Sequence, residues 1–285
     1  MILIIIRSDI VEKAILVISF GTSYLDALTN SIEKIENKIQ DEFREYKIER
    51  AFTSHKVIKK LQEKHSIYVD TPAESLDKLI ELGIKDVIVQ PLHMIAGEEF
   101  TYIKNVVNKY GDKFNSIDMG RPIFYYQGIE ELPQDYSLFI ESIKELLDKT
   151  ENVVLFGHGT ANPSNAAYGC LQSVLEDEGY NNVFVGTVDG YPSFNTVLNR
   201  LKKNNIKEIK LVPLMVVAGD HAKNDMASEN EDSWNSMLKA NGINVKLHLK
   251  GLGEIESFNE LYIQRIKDVI KGNMKGIGET KKFSS

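Results

Sequence analysis

A single cysteine, Cys170, excludes an intrachain disulfide, a CxxC redox pair and a thiolate metal site. The chain also lacks a basic surplus: 34 Lys and Arg stand against 41 Asp and Glu, a net charge of -7. Phosphate backbones are bound by clustered Lys and Arg, so nucleic acid is not an expected partner. The lysines are interleaved with glutamates, as on solvated helix faces. No stretch approaches the roughly 20 apolar residues that cross a bilayer, so no membrane association is expected. The apolar start Met1 to Ile6 is broken by Arg7 and Asp9 and has no small-residue cleavage site. It reads as an extension ahead of the first strand, and a cytoplasmic location is expected. Also missing are the GxxxxGK[ST] phosphate loop, a GxGxxG after a strand, the HExxH helix and the GxSxG elbow. No nucleotide, zincin or serine-hydrolase chemistry announces itself.

What is present is an ordinary globular composition, 42% hydrophobic and 26% charged, in a chain long enough for two medium α/β domains. Short apolar runs predict strands over 14–19, 47–51, 86–91, 117–119, 152–156, 182–187, 208–213 and 244–249. Helical periodicity covers 29–43, 57–64, 71–82 and 98–110, then 165–177, 193–203 and 229–240, where Trp234 reads as helix packing. Thr71-Pro72 followed by Glu74 has the form of a capping box with Pro at the first helical position. Strands alternating with helices predict mostly parallel sheets flanked by helices.

The two halves repeat each other. Ile15 to Thr22 aligns with Val153 to Thr160, each an apolar strand entering a Gly-Thr turn. Asp86 to Glu99 aligns with Glu208 to His221, sharing Pro-Leu and then Ala-Gly followed by an acid. Internal duplication predicts an extension over 1–12, similar domains over 13–135 and 136–271, and a flexible tail over 272–285. Ligands of open α/β sheets lie beyond the carboxyl ends of the strands, so the four turns should face one cleft between the halves.

Of six histidines, His158 and His221 combine a strand end with glycine neighbours. A surface histidine beside a structural turn is the plain alternative for each. Together, on one rim of a parallel sheet, they suit Co, Ni, Fe or Zn. Asp189, in Thr187-Val188-Asp189-Gly190, ends the intervening strand; an Asx turn is the ordinary use of Asp before Gly, and a third metal ligand is the alternative favoured here. The first copy holds Phe20 and Glu99 where the second holds the histidines. His93 follows Pro91-Leu92, where it is either a buried structural residue or cleft-facing. His55, His65 and His248 are expected to be structural.

Seven segments in order extend the argument: Phe20-Gly21-Thr22-Ser23-Tyr24, Gln90-Pro91-Leu92-His93, Ala96-Gly97-Glu98-Glu99, Gly157-His158-Gly159-Thr160, Asn165-Ala166-Ala167-Tyr168, Val185 to Pro192, and Val217 to Ala222 with Asn224 to Ala227. Over about residues 13–270 the chain resembles the anaerobic sirohydrochlorin cobaltochelatases of cobalamin biosynthesis. The resemblance implies a class II chelatase-like fold and ATP-independent insertion of Co(II) into sirohydrochlorin or precorrin-2. It implies that His158, His221 and Asp189 handle the metal and its protons, Asp189 standing where the family usually has glutamate. Gly21, Thr22, Ser23, His93, Gly159 and Thr160 are then expected to face the tetrapyrrole, with backbone N–H groups at 21–23 and 159–161 meeting its carboxylates. The resemblance leaves haem binding and homo-oligomer assembly open. Rival readings are insertion of Fe or Ni by the same fold, a non-catalytic tetrapyrrole or metal carrier, and a two-domain small-molecule binder.

Overall fold

The computed structural model describes residues 11–272. The expected extension over 1–12 therefore lies almost wholly outside the described residues, as does all of the expected tail beyond Gly272. Eight strands form two sheets of four: β1 Lys13–Ser19, β2 Lys47–Phe52, β3 Asp86–Pro91 and β4 Ser116–Met119, then β5 Val153–Gly157, β6 Val183–Thr187, β7 Glu208–Pro213 and β8 Asn244–Leu247. All ladders are parallel, in the orders β2-β1-β3-β4 and β6-β5-β7-β8. Helices α1 Leu25–Ala27, α2 Lys34–Glu42, α3 His55–His65, α4 Pro72–Glu81 and α5 Glu98–Lys109 serve the first sheet. Helices α6 Asp135–Ser142, α7 Ala166–Asp177, α8 Phe194–Lys203, α9 Trp234–Ala240 and α10 Glu256–Ile270 follow. Among the described residues no helix is long and apolar enough to cross a membrane.

The central strands are near-continuous apolar runs because helices cover both of their faces. Every residue of β5 is buried, as is every residue of β1 after Lys13. The predicted capping box forms: Thr71 N donates to Glu74 Oε2 at 2.8 Å and Glu74 N to Thr71 Oγ1 at 3.4 Å. Trp234 is buried against the rings of Phe156 and Phe194, at centroid separations of 5.0 and 5.2 Å.

The repeat holds at the level of register. Ser19 pairs with Phe52 as Gly157 pairs with Thr187, and Ile18 with Pro91 as Phe156 pairs with Pro213. Beyond the ladder, Leu92 N donates to Ile18 O and Leu214 N to Phe156 O, both at 2.7 Å.

Two helices that the strand-helix alternation does not announce, α6 and α10, break the symmetry. From the second half of the chain, α10 returns to pack on α2 and β3 of the first and on α6 at the boundary. Its Phe258, Tyr262 and Ile266 join Ile15, Val17 and Ile88, along with Val153, Leu155 and Val212, in one core cluster spanning both sheets. A buried ion cluster fixes the crossing. Arg121 reaches Asp135 through Nε at 3.0 Å and Asp268 through Nη1 at 2.7 Å. Arg265 donates to Pro122 O at 3.1 Å and Ile123 O at 2.9 Å. Burial pulls the Arg265 guanidinium down to about 10, which leaves it charged at neutral pH.

Candidate metal centre

The strand ends decide what meets in the cleft. After β1 and β5 the chain turns through Gly21 at φ 90° and Gly159 at φ 83°, a conformation that favours glycine. Gly159 is also needed for space, since a Cβ there would stand 2.7 Å from Gly190 N and 2.8 Å from Thr187 Cβ. The two turns of the second half thus press together, and Asp189 N donates to His158 O at 2.7 Å. Asn165 ties them again: its Oδ1 accepts from Thr160 N at 3.0 Å and its Nδ2 donates to Tyr191 O at 2.6 Å.

On this frame His158 and His221 come together, ring centroids 4.3 Å apart and planes at 86°. His158 Nδ1 lies 2.8 Å from Gly159 O. A carbonyl oxygen only accepts, so Nδ1 carries the proton and Nε2 presents its lone pair. That Nε2 lies 3.9 Å from Asp189 Oδ2, on a side chain 63% exposed. His221 Nδ1 lies 2.5 Å from Asp225 Oδ2, which leaves Nε2 as the ring's other nitrogen for a ligand. A carboxylate behind an imidazole is the usual support for a metal-binding histidine. Among the described residues no three His, Cys, Asp or Glu side chains are gathered into a preset metal cage. The arrangement is two imidazoles side by side with an exposed carboxylate near one of them.

The other expected site residues sit as follows. Thr22 is buried, and its Oγ1 accepts from Tyr24 N at 3.2 Å; Ser23 and Gly21 are half-buried on the same turn. The Thr160 N–H expected to stand free for a carboxylate is engaged by Asn165, and the helix begins at Ala166, after a 3-10 turn over Pro163–Asn165. His93 is half-buried as a residue, but both its ring nitrogens are wholly buried without a hydrogen-bond partner. Burial pulls its imidazole down to about 4, so it is neutral at physiological pH.

The halves face each other through these turns. A Cβ on Gly219 would lie 3.5 Å from Thr22 Oγ1, and one on Gly97 would lie 3.5 Å from Ser164 Oγ. A polar clasp beside His221 strengthens the contact. Tyr24 Oη donates to Asp220 Oδ1 at 2.9 Å, which raises the phenol's pKa through the hydrogen bond to that carboxylate. Lys223 Nζ lies 3.1 Å from Asp26 Oδ2 and 4.1 Å from the Tyr24 ring centroid. The clasp, Asn165 and Asp225 are not evident from the motifs alone. The signal for Asp225 was its place four residues after His221, which brings it to the same face once 222–226 winds into a π-helical turn.

Comparison with known proteins adds to this geometry. A family profile described as Cobalt chelatase (CbiK) matches residues 13–271. A sirohydrochlorin cobaltochelatase of Salmonella typhimurium is 34% identical over 262 residues, covering 91% of this chain and 97% of that protein. Sirohydrochlorin cobaltochelatase CbiKC of Nitratidesulfovibrio vulgaris is 26% identical over 257 residues, covering 90% and 89% respectively. Among solved structures, SirB from Bacillus subtilis with Fe3+ superposes with a TM-score of 0.62 at 16% identity, covering 93% of this chain and 98% of that one. That likeness is one of fold.

Proposed function

The chain belongs to the cobalt chelatase (CbiK) family, and from that premise we propose that its histidine pair delivers Co(II) to sirohydrochlorin. The observation that carries the reading is the pair itself: two imidazoles 4.3 Å apart, with each Nδ1 occupied and each Nε2 left as a donor. Donors of this type suit a borderline ion such as Co(II). Two protein nitrogens and a carboxylate that must swing to bind hold it loosely enough to pass it on.

Charge accounting sets the rest. A free-base tetrapyrrole loses two pyrrole N–H protons as it takes up a divalent ion, so the site must accept protons on the face from which the metal leaves. We place the first acceptor at His221. The Asp225 carboxylate 2.5 Å behind its Nδ1 holds the charge of an imidazolium, whereas His158 leans on a neutral carbonyl. Asp189, exposed and 3.9 Å from His158, takes metal and then proton as it swings. Binding the macrocycle over the pair supplies catalysis by positioning, and no nucleotide is consumed.

Anaerobic mixing of the protein with sirohydrochlorin and Co(II) tests the reading. The free-base absorbance bands should give way to those of the cobalt complex with multiple turnovers and no ATP. Binding with no spectral conversion would leave a carrier, not an enzyme, and faster conversion with Fe(II) or Ni(II) would reassign the metal.

A further inference from the structure

One structural position carries different side chains in the two halves. The residue after the Ser19 and Phe52 pair is Phe20, and the residue after the Gly157 and Thr187 pair is His158. Each precedes a glycine of positive φ. Phe20 is 51% exposed, and among the described residues it is the one phenylalanine that is exposed and not buried or half-buried. Isolated apolar side chains on a surface are common. This one, however, occupies the place that in the other half holds a metal donor. Its turn abuts the second donor's turn as well: Thr22 lies against Gly219, and Tyr24 holds Asp220, the neighbour of His221.

We propose that Phe20 is the stacking surface for the plane of the tetrapyrrole, an inference that rests on the chelatase reading above. The substrate is a broad flat π-system with carboxylates on its periphery. Lys223 beside these turns is already paired with Asp26, so the ring plane is where affinity is available. An exposed phenylalanine on the turn that abuts the His221 turn supplies an offset-stacked or edge contact, and covering it removes apolar surface from water. Each half then contributes one partner of the reaction at the same turn: Phe20 the macrocycle, His158 the metal.

The test is an anaerobic titration of metal-free protein with metal-free sirohydrochlorin, followed by the pigment's fluorescence. Phe20→Ala should weaken binding about ten-fold or more, and Phe20→Trp should restore it to within about three-fold of wild type. Phe20→Leu, apolar but not aromatic, should remain weak. Co(II) affinity without tetrapyrrole should stay within about two-fold in all three variants, because His158 and His221 are untouched. Unchanged thermal melting would show that they are folded. Wild-type tetrapyrrole affinity in Phe20→Ala, full affinity in Phe20→Leu, or an equal loss of Co(II) binding would overturn the proposal. If wild-type protein inserts Co(II) while Phe20→Ala binds pigment normally, Phe20 alone is wrong. If wild type binds pigment but leaves it metal-free, the chelatase reading is wrong and the Phe20 comparison still stands. A wild type that binds no sirohydrochlorin sinks both.

Discussion

The two halves share a sheet order, a register and a pair of Gly-Thr turns, yet they differ at three side chains around those turns. Phe20 answers His158, Glu99 answers His221, and His93 answers Met215. Beyond the fourth strand the contrast inverts ordinary expectation. Gly120 N bonds to Val89 O as His248 N bonds to Leu211 O, so Arg121 corresponds to Leu249. The arginine is 1% exposed and the leucine 55%. Packing constrains the strands in both halves alike, because both central strands are covered on two faces. The ends are constrained only by what approaches them: the paired histidine turns in one half, α10 in the other.

Substitutions at matched positions can break that comparison. The largest effect is expected at the metal donors. His158→Ala or His221→Ala should lower Co(II) insertion by about 10²- to 10⁴-fold, and Glu99→Ala at the matched place by no more than about three-fold. Stopped absorbance assays at saturating pigment would show it, and equal losses in both halves would refute the asymmetry. Next in size, Arg121→Ala should cost about 3–5 kcal/mol, since it leaves Asp135 buried with a lost partner, while Leu249→Ala should fall within about 0.5 kcal/mol. Urea unfolding measures both.

His93 offers a comparison in pH. Its native imidazole titrates near 4 against an ordinary value of 6.5, so the unfolded chain binds the extra proton first. Stability from this residue is therefore intact above about pH 6.5 and falls as pH drops, by about 3 kcal/mol once pH is below 4. His93→Met, which copies Met215, should flatten that part of the acid limb by the same amount. An unchanged acid limb would show that the ring is hydrated in solution. The smallest effect is a refinement within the second half. Asp225→Asn keeps a side chain of the same shape but removes its charge, and should slow insertion about 10- to 100-fold. Should it match wild type, His221 is not the residue that takes the proton.

Much of this was legible in the sequence for local reasons. β3 and β7 fall on the expected bounds because an apolar run ending in Pro has no better place than a buried parallel strand. Thr71 and Glu74 cap as their spacing dictates. The first helix starts at Leu25, four residues before its apolar period becomes regular, because a π-helical stretch over Leu28–Glu33 shifts the phase. The 15 residues of α10 carry an apolar face in their sequence, but periodicity says which side is buried and not which sheet lacks a cover. Arg121 reads as a surface residue until Asp135 and Asp268 are brought to it. The histidine pair could be foreseen because parallel strands deliver their ends to one rim. Its orientation could not, since that depends on Gly159 O and Asp225.

The return of α10 to the first sheet also has a consequence in time. A ribosome releases the first half well before the second, but the helix that walls the first core and brings Asp268 to Arg121 is made later than either sheet. At about 5–20 residues per second, the nascent first half waits on the order of ten seconds after α6 with Ile15, Val17 and Ile88 short of their cover. Vectorial synthesis thus delivers the strands in order and the seal last, so the core shared by both sheets closes only when α10 arrives.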